Sequence, residues 1–164
     1  MPLGSSDLQH LRAVHGYLEL GMFVEADVEI ERIDAFFRSL PEVLAVRLGI
    51  YAGLQKWELM AAVAQKLAEH DPKDIQWSIS RAYATRRAHS IETAGAILLE
   101  ALKTHPDEPM IHYNLACYEC QLGNLDGAKK HLVRATKADS KFKAMALDDK
   151  DLEPLWLEIG RLEV

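Results

Sequence analysis

The sequence has only two cysteines, Cys117 and Cys120, in 164 residues. Two thiols cannot staple a disulfide scaffold, and they suit a reducing compartment, so a cytoplasmic protein is expected. No apolar run approaches the roughly 18 residues that cross a bilayer, which argues against a membrane role. The opening, Met1 to Ser6, lacks a basic stretch leading into an apolar one, so no secretion signal is expected. Alternating runs of β-branched residues are also missing, which leaves little material for a sheet. Positive charge is in deficit. The formal net charge is -6, and an acidic chain repels a phosphate backbone, so nucleic acid is not an expected partner. H-E-x-x-H, the Walker loop, G-x-S-x-G and G-x-G-x-x-G are all absent. No catalytic residue, metal or cofactor is assigned, and the chain is read as a non-enzyme.

Cys117-Tyr-Glu-Cys120 is a C-x-x-C. A redox pair of that kind opens a helix, where the dipole lowers a thiol pKa; this one falls in the middle of a helical pattern. Zinc would need two more ligands, and His112 and His131 stand at no useful spacing from the pair. The two thiols are read as small, semi-buried packing residues.

What is present is helix. Breakers at Gly21, Pro41, Gln55-Lys56, Asp71-Pro72, His89-Ser90, His105-Pro106 and Gly123-Asn124 separate segments of ordinary helix length. Apolar residues recur at helical spacing within them, as at Ile97, Leu98, Ala101 and Leu102. The segments also repeat every 34 residues: Pro72 and Pro106; Ala26, Met60, Ala94 and Ala128; Ile30, Ala64, Leu98 and Leu132. Four copies are read at 7–40, 41–74, 75–108 and 109–142, after an N-terminal extension at 1–6.

Residues 109–142 resemble a tetratricopeptide repeat, through Asn114-Leu115-Ala116, Leu122-Gly123, Ala128, Leu132 and Ala135. The first copy keeps Tyr17, Leu20-Gly21 and Ala26. The second keeps Tyr51, Leu54 and Pro72, with Gln55 at the turn glycine and Met60 at the usual alanine. The third keeps Ala82, Ala94, Leu98, Ala101 and Pro106, with His89 at the turn. The resemblance implies an all-α fold, a right-handed α-α superhelix (solenoid) of four antiparallel helix pairs. Residues 143–164 break the period and are expected to form a C-terminal capping helix through Leu152, Leu155, Trp156 and Ile159, with Pro154 in its first turn. Similar tails follow the last repeat in some bacterial tetratricopeptide proteins.

In the family, the first helix of each pair lines a concave groove where peptides lie. The resemblance therefore implies a protein or peptide partner. Its groove positions fall here on His15 in the first copy, on Tyr83, Arg86 and Arg87 in the third, and on Tyr113 and Gln121 in the fourth. Where some members hold a chaperone's acidic terminus with Lys and Asn, this chain has Leu11 and His15, which departs from that clamp. Tyr83, Arg86 and Arg87 share one helical face, and Ile75 to Ile91 holds three arginines and no acid. Such a stripe either grips an acidic or carboxylate-ended ligand or pairs internally. Ala45, Gly49, Ala52 and Gly53 either leave room for a ligand or are filled by neighbouring helices. Glu25, Asp27, Glu29, Glu31 and Asp34 either lie on a solvated convex face, the expected reading, or meet a basic partner. Trp57, Trp77 and Trp156 read as packing residues. The alternative function is a structural, self-associating scaffold subunit using Leu8, Leu11, Leu18 and the C-terminal helix.

Overall fold

The computed structural model describes residues 3–162. Among these the regular structure is entirely helical: α1 (Ser5–Glu19), α2 (Phe23–Ile30), α3 (Pro41–Gly53), α4 (Trp57–His70), α5 (Ile75–Ala88), α6 (Ile91–Leu102), α7 (Pro109–Gln121), α8 (Leu125–Ala138), α9 (Lys141–Asp148) and α10 (Trp156–Ile159). Short 3-10 turns lie at Ala35–Phe37 and Lys150–Leu155. None of these helices is long and apolar enough to cross a membrane.

Local chemistry sets the helix ends. Pro41 and Pro109 open α3 and α7, where a missing N–H is harmless. Ser90 caps α6 by accepting from the Thr93 N–H, and Asn124 caps α8 by accepting from the Gly127 N–H. Three helices close with the same left-handed turn. Gly21, Gln55 and Gly123 have φ of 69°, 57° and 82°. After each, the next N–H reaches back to the helix: Met22 to the Tyr17 carbonyl, Lys56 to Tyr51 and Asn124 to Glu119. This six-to-one bond is the signature of the Schellman end.

The chain forms two compact units, one ending at Ala88 and one starting at His89. In the first, α1 packs on α2, α3 on α4, and α4 on α5. Its core gathers Val14, Ala26, Ile30, Ile33, Phe37, Val43, Val46 and Ile50. In the second, α7 packs on α6, on α8 and on the turn 150–155, while α9 lies against α8 and α10. The positions that repeat in the sequence are interior ones. Ala26, Met60, Ala94 and Ala128 are all buried, and so are Ile30, Ala64, Leu98 and Leu132. Small side chains at the first set let paired helices approach closely.

Three expectations change. The C-terminal segment is not one helix but α9, a 3-10 turn and α10, with Pro154 inside the 3-10 turn. Proline removes an N–H and tightens the chain there, yet Leu152, Leu155 and Ile159 still reach the core. The bare stripe of α3 leaves no vacancy at Gly53, because the Phe23 ring of α2 sits where a Cβ would be, 2.2 Å away. The acidic face of α2 is largely paired rather than merely solvated. Asp27 meets Lys56 at 2.7 Å, Glu29 meets His10 at 2.8 Å and Arg32 at 3.1 Å, and Glu31 meets Arg38 at 2.6 Å and Arg47 at 2.7 Å.

Candidate peptide-binding site

The packed helices α4 and α5 build the candidate surface of the first unit. Trp57 is the first residue of α4, placed there by the left-handed turn at Gln55. Tyr83 and Arg87 lie one turn apart on α5, so their side chains share a face. The Tyr83 and Trp57 rings meet edge-on, centroids 5.9 Å apart at 75°. The Arg87 guanidinium lies over the Tyr83 ring at 3.5 Å and beside the Trp57 ring at 5.2 Å. Ring quadrupoles attract a cation in this geometry, by about 0.5–1 kcal/mol at an exposed site.

The guanidinium is anchored at one corner. Its Nη1 donates to the Tyr83 carbonyl at 3.2 Å. Among the described residues no carboxylate pairs with Arg87. The Nε and Nη2 edge thus remains available for a planar, two-bonded partner, the geometry that suits a carboxylate. Tyr83 and Arg87 are exposed, while Arg86 and Trp57 are half-buried. An open depression of about 380 Å³ adjoins the cluster, lined by Gln55, Lys56, Trp57, Glu58, Leu59 and Ala88.

His15, Tyr113 and Gln121 are the groove residues on α1 and α7. His15 is exposed on α1. Tyr113 is buried on α7, its hydroxyl donating to Asp149 Oδ2 at 2.8 Å and its ring tilted against Phe142 at 5.3 Å. Burial first, then the bond to Asp149, pushes its phenol pKa up. Gln121 donates to the Asp151 carbonyl at 3.0 Å. The face of α7 that the family resemblance assigns to a ligand is therefore covered by the chain's own residues 149–155. Within the first unit the structure brings Tyr83 and Arg87 together. It adds Trp57, which the sequence offered as a packing residue; its position just after a helix-ending turn, opposite an i, i+4 Tyr-Arg pair, was the available signal.

The thiols follow the same pattern. Cys117 and Cys120 are buried and unbridged, and Cys117 donates to Asp149 Oδ2 at 3.5 Å. Burial, then Asp151 and Asp149, raises the Cys120 pKa. That is the reverse of what activates a nucleophilic thiol. No group of three or more metal-ligating side chains occurs among the described residues.

No family model and no curated protein matches this sequence. Solved structures do. MamA MSR-1 superposes with a TM-score of 0.68 at 23% identity, over 80% of this chain and 76% of that one. MamA AMB-1 gives 0.66 at 23% identity, over 80% and 72%. MamA is tetratricopeptide-like, and at this identity the likeness speaks for architecture alone: the chain has an all-α helical-repeat fold of the tetratricopeptide type.

Proposed function

We propose that this protein is a non-catalytic interaction module that captures a segment of a partner protein, with Arg87, Tyr83 and Trp57 gripping a carboxylate and the carbon next to it. Arg86, on the same face of α5, adds charge. The observation that carries this reading is the guanidinium of Arg87, held over the Tyr83 ring at 3.5 Å with no carboxylate paired to it among the described residues. A cation kept in place by rings and a backbone carbonyl loses little freedom on binding, so most of the charge-assisted bond goes into affinity. The aromatic walls supply rigid contact area beside it. Recognition of this kind selects an acidic side chain or a C-terminal carboxylate.

The test is capture of partners from a lysate of the source cell by wild type and by the Arg86→Glu/Arg87→Glu variant. A partner held by wild type and lost with the variant, while helicity is retained, supports the site. Equal capture by both rejects it.

A scaffold reading is favoured by a different observation. Leu20, Val24 and Val28 of the first hairpin are exposed, and Val24 and Val28 lie one turn apart on α2. Such a row suits contact with another copy. A mass in light scattering that rises with concentration, and falls back with Val24→Asp, would favour it; a constant monomer mass removes it.

A further inference from the structure

In the second unit, α8 carries charge of the opposite kind to the rest of the chain. Its sequence holds Lys129, Lys130, His131, Arg134 and Lys137 against the single acid Asp126, in a protein of net charge -6. Lys130, Arg134 and Lys137 are spaced i, i+4, i+7. They form a nearly straight exposed row about 10 Å long. Among the described residues, none of the three is paired with a carboxylate.

The row borders an apolar groove. Between α8 and the C-terminal turn lies a cleft of about 360 Å³, lined by Leu132, Val133, Leu155, Ile159 and Leu162. Arg161 stands on its far wall, and the Lys129–Glu158 ion pair, 2.6 Å long, joins its two sides. Val133 and Lys129 belong both to this cleft and to the shallow basic surface along α8. Leu132, Leu155 and Ile159 form the buried floor of this cleft, and its accessible apolar surface lies on half-buried Val133 and Leu162, with Lys130, Arg134 and Lys137 beyond one wall and Arg161 on the other.

We infer that this face docks an acidic amphipathic helix of a partner protein, seated with its apolar stripe in the cleft and its Glu or Asp residues against Lys130, Arg134, Lys137 and Arg161. Helix-in-groove recognition reads apolar anchors at i, i+3 or i+4 and i+7, and the basic row has the same rise per turn. Charge decides the class of occupant. A basic or neutral helix would leave four cations unpaired, whereas an acidic one matches them. The inference is independent of the carboxylate site at Arg87, which lies in the first unit.

The experiment is fluorescence anisotropy of the full chain with three labelled 14-residue probes: a Leu/Glu amphipathic helix, the same peptide with every Glu replaced by Lys, and a scrambled peptide of the Leu/Glu composition. The expected result is binding of the first probe, at least about tenfold weaker binding of the other two, and a loss of about tenfold or more with Lys130→Glu/Arg134→Glu. Affinity should fall as salt rises. Retained binding by Arg86→Glu/Arg87→Glu separates this surface from the carboxylate site. Equal binding of the scrambled probe overturns the groove, and unchanged affinity in Lys130→Glu/Arg134→Glu overturns the basic row. Sensitivity of that variant only to phosphatidylglycerol vesicles, with no peptide binding, overturns the helix in favour of a lipid surface.

Discussion

Tyr113 on α7 donates its hydroxyl hydrogen to Asp149, 36 residues later in the chain, at 2.8 Å. This bond helps tie the C-terminal segment to the repeat before it, beside the Gln121–Asp151 bond and the Lys129–Glu158 ion pair. Tyr113→Phe leaves Asp149, among the described residues, with the weak Cys117 thiol as its side-chain donor. The expected loss is about 1–3 kcal/mol in urea unfolding, with faster proteolysis after residue 140. The pH dependence has a definite sign. Folding raises the phenol pKa, so the contribution is complete below about pH 10, the ordinary tyrosine value, and is lost as pH rises beyond it. The phenylalanine variant should show a flatter alkaline decline.

The two histidines of the α7–α8 pair predict an acid-side effect. His112 faces the Pro106 carbonyl through Nε2 at 2.7 Å, so that nitrogen carries the proton. Its Nδ1 then accepts from His131 Nδ1 at 2.9 Å. Burial, and next the neighbouring His112, lowers the His131 pKa. A depressed histidine stabilises the fold above the unfolded value of about 6.5, and this is lost as pH falls through the folded value. Urea midpoints should drop from about pH 7.5 to pH 5.5 in wild type, and drop less in His131→Gln.

Gln55 stands where Gly21 and Gly123 stand in their own turns, and its φ of 57° is left-handed like theirs. A side chain there is strained by about 1–2 kcal/mol, partly offset by the greater freedom of unfolded glycine. Gln55→Gly is therefore expected to stabilise the chain by about 0.5–1 kcal/mol in urea unfolding. Gly123→Ala should destabilise it by a similar amount.

Gly53 and Gly49 differ in the space left around them. A methyl at Gly53 would overlap the Phe23 ring at 2.2 Å, whereas one at Gly49 would touch Leu18 at an ordinary 3.5 Å. Gly53→Ala should lower stability by about 1–3 kcal/mol through overpacking. Gly49→Ala should be neutral or stabilising by up to about 1 kcal/mol, through better helix propensity. Thermal melts of the two variants distinguish them.

The helices and their repeat were legible in the sequence because burial recurs with the same period. Ala26, Met60, Ala94 and Ala128 mark an interior position whichever copy they occupy. Leu20-Gly21 and Leu122-Gly123 announced left-handed ends, and Gln55 was placed at the same turn by register alone. Partners far along the chain were not legible. Nothing near Tyr113 reveals that Asp149 and Phe142 will cover it. Nothing near Glu31 reveals Arg38 and Arg47 on either side of it. The i, i+4 spacing of Tyr83 and Arg87 was visible, but Trp57 joins them only because α4 packs on α5. The break of the C-terminal segment at Asp149 follows from that carboxylate accepting from the Asp151 N–H, a local turn that competes with helix.

The central claim is that Arg87, steadied by Tyr83 and Trp57, receives a carboxylate. The most direct measurement is tryptophan emission of the full chain, titrated with short acidic peptides that differ only in a free or an amidated C-terminus. The account predicts that free-acid peptides change the emission and bind about tenfold or more tightly than their amides. It also predicts that Arg87→Glu abolishes the response without loss of helicity. Equal affinity for both forms, or a response unchanged in Arg87→Glu, would contradict it.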